Sequence, residues 1–99
     1  MHQPSALSEQ VTEAIERVVR QEMGDYGLLT VRAAPGLDHD GDQVIWVHAD
    51  YRIEGPPVDP KKMAGLVSKI RGALYEADEV RFPHVRHHFS KDRQVVGYK

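Results

Sequence analysis

The chain predicts a two-layer α+β sandwich in the order α-β-β-α-β. Two stretches repeat apolar residues at helical spacing, three concentrate β-formers, and their order leaves one sheet to be covered by both helices on one face. The other face of that sheet is then expected to stay open, and the strand pairing to lean antiparallel.

The first helix follows Ser8, whose hydroxyl suits an N-cap. Val11, Ala14, Ile15 and Val18 recur on one side and Gly24 supplies a stop, which predicts a helix over residues 8–23. Its outer side sets Glu13 before Arg17 and Glu16 before Arg20 in the favourable i, i+4 order, each pair worth about 0.2–0.5 kcal/mol. Residues 28–34 and 44–53 are rich in β-formers, and PGLDHDGDQ between them carries turn dipeptides, so they read as a hairpin. In the second strand Ile45, Val47, Ala49, Tyr51 and Ile53 alternate with Val44, Trp46, His48, Asp50 and Arg52. The first set is expected to face the core and the second to face away from it.

GPPVDP at 55–60 is the linker-like piece, a connection inside one domain. Asp59-Pro60 is an N-cap and first-turn signature, after which Met63, Leu66, Val67, Ile70 and Leu74 make a continuous apolar stripe. The last strand is expected from Val80 or Pro83 to Ser90, and QVVGY near the end is a candidate for a short edge strand. Within RFPHVRHHFS, at 81–90, the apolar residues anchor the strand to the core and the basic ones line the uncovered side.

Composition bounds the function. Ninety-nine residues fit a single domain. No segment approaches the roughly 20 apolar residues of a membrane helix. MHQPSALSEQ lacks the basic start and apolar run of a signal peptide, and the chain has no cysteine. These features predict a cytoplasmic protein without disulfides, thiol chemistry or cysteine-ligated zinc. The formal charge of −2 hides an asymmetry: residues 1–60 hold 4 Lys/Arg against 11 Asp/Glu, and residues 61–99 hold 9 against 4. The two halves either neutralise each other within the fold or create a patch for a charged partner.

Specific chemistry finds little support. His84 and His88 on one strand face stand roughly 13 Å apart, too far to share an ion, and His87 points to the opposite face. A metal site would need His48 or Asp50 from another strand, and register decides whether they come near. Asp38, Asp40 and Asp42 begin like a calcium loop, but the glycine comes too early and position 12 counted from Asp38 is Ala49 where a bidentate Glu is required. A hairpin turn bent at Asp40-Gly41 explains them better. His48 and Asp50 on one strand face are a base and an orienting acid in principle. No nucleophile elbow, phosphate-cradling glycine loop or HExxH accompanies them, so no cofactor or metal is expected and an enzyme ranks third among the readings.

Two surfaces stand out. The open sheet face gathers Arg32, Trp46, His48, Arg52, His84, Arg86 and His88, with Thr30 and Val44 beside them and Asp50 among them. Cations around an aromatic suit a protein interface and, second, a single-stranded nucleic acid. The outer side of the second helix sets Gly65, Ser68 and Gly72 opposite the apolar stripe, with Tyr75 alongside. Each interior glycine costs about 0.5–1 kcal/mol relative to alanine, and close approach of a second helix, in a homodimer or a complex, would give a reason for two of them.

From residue 43 to 90, and above all in Glu79-Val80-Arg81-Phe82-Pro83, the chain resembles small uncharacterised bacterial α-β-β-α-β proteins in which a Phe-Pro pair opens the last strand. The resemblance implies the fold and no activity. A looser similarity to K-homology RNA-binding domains stops at their GXXG loop, because Gly65 and Gly72 are seven apart inside a helix. The function expected is a non-catalytic interaction or accessory module that self-associates or binds a protein partner without a membrane. Nucleic-acid binding on the open face is the alternative.

Overall fold

The computed structural model describes residues 4–89. The elements run α1 (Glu9–Met23), a 3-10 turn (Gly24–Tyr26), β1 (Leu28–Leu37), β2 (Gln43–Tyr51), α2 (Pro60–Glu76) and β3 (Phe82–Phe89). The three strands form one sheet in the order β1-β2-β3. Among the described residues no helix is long and apolar enough to cross a membrane.

Each helix starts as its sequence dictates. The Val11 N–H donates to Ser8 Oγ at 3.1 Å, and the Lys61 N–H donates to Asp59 Oδ1 at 2.9 Å with Pro60 in the first turn. Substituting either cap by alanine costs about 1 kcal/mol. α1 stops at Met23 with Gly24 as its C-cap, where the sequence placed the stop, but not through a left-handed glycine. Gly24 keeps right-handed geometry, and the chain turns only at Gly27, at φ 80°. Helix α2 ends through Asp78, a non-glycine at φ 59°, while the Glu79 N–H reaches back to the Leu74 carbonyl at 2.8 Å.

The strand pairing is mixed. β1 and β2 are antiparallel with Thr30 opposite Asp50, Arg32 opposite His48 and Ala34 opposite Trp46. β2 and β3 are parallel, with Trp46 opposite His84, His48 opposite Arg86 and Asp50 opposite His88. The parallel pair follows from the connection: a chain returning to the same end of a strand needs a crossover, and α2 is that crossover. The hairpin is longer than its sequence suggests, because Pro35 and Gly36 continue β1 to Leu37. β1 has one neighbour, so a proline lacking its N–H is tolerated there.

Both helices pack over one side of the sheet. Val11, Ile15, Val18, Val19 and Met23 of α1 and Leu66, Ile70 and Leu74 of α2 bury against Ile45, Val47, Ala49 and Tyr51. Two positions depart from simple alternation. Ile53 lies beyond β2 in a turn and is 42% exposed, so it does not belong to the core. Val44 points away from the helices yet is 3% exposed, lying between its strand partners Gly36 and Phe82. The QVVGY edge strand and Ser90 lie outside the described residues.

Candidate interaction surface

The sheet face turned away from the helices carries Thr30 and Arg32 from β1, Trp46, His48 and Asp50 from β2, and Phe82, His84, Arg86 and His88 from β3. Alternation puts them there and register sets their neighbours. Arg52 is the exception among the residues expected on this face. β2 ends at Tyr51, and the Arg52 N–H is given to the Gly27 carbonyl at 2.8 Å, so the strand pleat does not aim its side chain.

Trp46 anchors one end of the face. A Cβ placed on Gly36 would overlap indole Cδ1 and Nε1, which means the indole rests directly on the bare Gly36 backbone. His84 stacks on it with centroids 4.9 Å apart, and the Arg86 guanidinium lies 4.9 Å from the ring centroid. Phe82 continues the row, 5.0 Å from His84, and Arg71 of α2 reaches its ring at 5.2 Å. A shallow depression lined by Asp38, His39, Trp46, His84, Val85 and Arg86 opens beside the indole.

The other end is polar. Asp50 accepts from Thr30 Oγ1 at 2.6 Å and from Arg32 Nε at 3.2 Å. Burial alone would raise its carboxyl; these hydrogen bonds and the Arg32 charge outweigh that and hold it below the usual carboxylate range. His48 does not turn to Asp50. Its Nδ1 stands 2.9 Å from Nε2 of His88, the rings 17° from parallel. One of the two nitrogens donates and the other accepts. Burial, then the positive charges of Arg32, His88 and Arg86, keep His48 below the usual histidine range, with Asp50 pulling the other way. The base-and-acid pairing considered for His48 and Asp50 is therefore replaced by two separate hydrogen-bonded units. His87 faces the core, where its Nδ1 meets the Tyr51 hydroxyl at 2.7 Å. Burial pushes the Tyr51 phenol up to about 12, and burial followed by the nearby His88 charge lowers His87.

The residues on α2 do not form one continuous strip. Gly65 sits among Lys62, Lys69 and Glu22 of α1, whose carboxylate binds the two lysines at 3.4 and 3.2 Å. Ser68, Gly72 and Tyr75 belong instead to a groove of about 500 Å³ shared with Arg71, Leu74 and Val80. Among the described residues nothing lies within 4 Å of a Cβ added at Gly65 or Gly72, so no contact among them requires either glycine.

Asp38, Asp40 and Asp42 do come together, with one carboxylate oxygen from each within 4.8 Å of the others. The arrangement has a local cause. Asp38 Oδ1 accepts the backbone N–H groups of both Asp40 and Asp42 at 2.9 Å, closing the hairpin around Gly41 at φ 85°. Two other features escaped sequence reasoning. One is Gly36 as the seat of Trp46, which is signalled only once β1 is known to run through Pro35. The other is the half-buried Glu79–Arg81 fork, whose side chains are 11% and 13% exposed. Arg81 gives Nε and Nη2 to the Glu79 carboxylate at 2.8 Å each and Nη1 to the Ser5 carbonyl at 2.6 Å.

Comparison with protein-family models, with curated proteins and with solved structures finds no match.

Proposed function

We propose that the chain is a non-catalytic interaction module whose working surface is the open sheet face and whose partner there is a protein. The observation that carries this reading is the state of Trp46. Gly36 lies under its ring, and His84 and Arg86 pack against it. A preorganised aromatic and guanidinium cluster is the usual anchor of a protein interface, where rigid groups lose little entropy on binding. Nucleic acid is less well served. A base would have to displace His84 or Arg86 to stack on the indole, and Arg32 is already balanced by Asp50.

Two copies meeting symmetrically through this cationic face would set like charges against each other, so self-association is better served by the outer side of α2 around Ser68, Gly72 and Tyr75. The test is purification of the full chain at low salt from the cells that make it. A protein partner held at stoichiometry and released by Arg86→Glu, with an unchanged circular dichroism spectrum, is the expected result. Elevated 260 nm absorbance removed by salt would favour nucleic acid. A lone species indifferent to the substitution would refute both.

A further inference from the structure

The side chains on the open sheet face include five that are cationic or take up a proton, Arg32, His48, His84, Arg86 and His88, against one acid, Asp50. Asp38 borders the face in the depression beside Trp46. Asp50 is paired with Arg32, which reaches both of its oxygens, and accepts from Thr30 as well. Arg86 is thus the one guanidinium of the face without a carboxylate, among the described residues, when the imidazoles are neutral.

The His48–His88 contact makes this charge depend on pH. Two imidazole nitrogens 2.9 Å apart share one hydrogen bond only while at least one ring is neutral. Once both are protonated, each nitrogen is a donor, no acceptor lies between them, and the rings repel. The charged groups around the pair offset this only in part: Arg32 and Arg86 add positive charge, while the Asp50 carboxylate favours the protonated rings but accepts its hydrogen bonds from Thr30 and Arg32 and none from the pair. An incoming carboxylate would relieve it, because its two oxygens accept one N–H from each ring.

We infer that the His48–His88 pair is a proton-gated receptor for a carboxylate of an acidic protein segment, with Arg86 beside it as a fixed charge. This rests on the reading of the open face as the working surface. The covered Trp46 ring favours an acidic peptide over a nucleic-acid strand as the occupant. Binding and protonation are reciprocal: the peptide is held more tightly as the pair takes up protons, and the pair holds its protons to higher pH when the peptide is bound.

The test uses the full chain and a ten-residue poly-aspartate peptide, which keeps its charge to pH 5, titrated by calorimetry at constant ionic strength. Each proton taken up on binding changes affinity by about tenfold per pH unit, so affinity at least tenfold higher at pH 5.5 than at 7.5 is expected. His48→Asn with His88→Asn flattens that dependence. An NMR titration of the unmodified chain keeps the test independent of any loss of fold: the ring signals of His48 and His88 titrate at higher pH with the peptide present. Affinity independent of pH, ring titrations unmoved by the peptide, or an oligothymidylate that binds more tightly than the peptide would overturn the inference. If the peptide fails while Arg86→Glu still releases a purified partner, the inference falls and the interaction reading stands. If Arg86→Glu changes neither, the reading itself falls.

Discussion

Replacing Gly36 by alanine tests the construction of the face at one methyl group. The new Cβ would occupy the place of indole Cδ1 and Nε1, and the rigid ring cannot bend away, so Trp46 must rotate off β1. Rotation breaks the His84 stack and the Arg86 contact, both at 4.9 Å. The first is worth about 0.5–1.5 kcal/mol and the second about 0.5–1 kcal/mol at an exposed site. Alanine returns about 0.5–1 kcal/mol by restricting the unfolded chain. The balance is a loss of about 1 kcal/mol. Urea unfolding followed by circular dichroism reads the stability, and the emission of Trp46, the chain's one tryptophan, reads the ring directly. The expected result is a lowered midpoint together with emission shifted to the red as the indole meets water. Unchanged emission with unchanged or raised stability would show that the indole does not rest on Gly36.

Three further outcomes are expected. His48 and His87 are both held below the usual histidine range, so the unfolded chain takes up their protons first; stability is full above about pH 6.5 and declines as pH falls through the folded values. Urea midpoints at pH 7.5 and 5.5 measure this, and equal midpoints would refute it. Arg81→Met leaves the Glu79 carboxylate, 11% exposed, without its fork and costs about 2 kcal/mol by the same assay, whereas Arg81→Met combined with Glu79→Leu recovers most of the loss. Gly65→Ala with Gly72→Ala places both methyl groups in open space and stabilises α2 by about 1–2 kcal/mol in thermal unfolding; a destabilised double variant would contradict the free geometry of both positions.

The elements were legible because their signals are local. Ser8 and Asp59 announce the helix starts, the Leu66, Ile70 and Leu74 stripe declares the buried side of α2, and the alternation through Ile45, Val47 and Ala49 sorts the two sheet faces. The neighbours within the open face were not legible, because they depend on register between segments far apart in the chain. Shifting β3 by two residues against β2 would leave every residue on its expected face yet set His48 opposite His84 or His88 instead of Arg86, and Trp46 opposite Phe82 or Arg86 instead of His84. Ile53 was misplaced because β2 stops at Tyr51, before the alternation that was extended to Arg52 and Ile53, and the Arg52 N–H turns to Gly27. Pro35 hid the end of β1, since proline signals a loop in most contexts and is admitted here only by the unpaired edge.

The His48–His88 contact joins residues 40 positions apart, and the chain between them is the whole of α2 with its flanking connections. A ligand gripping both rings would therefore clasp the longest excursion in the sheet, the one closure whose entropy β3 must overcome to dock. Such a ligand selects the complete fold over any form in which the final strand has peeled away, and its binding energy adds to the resistance of that strand to unzipping.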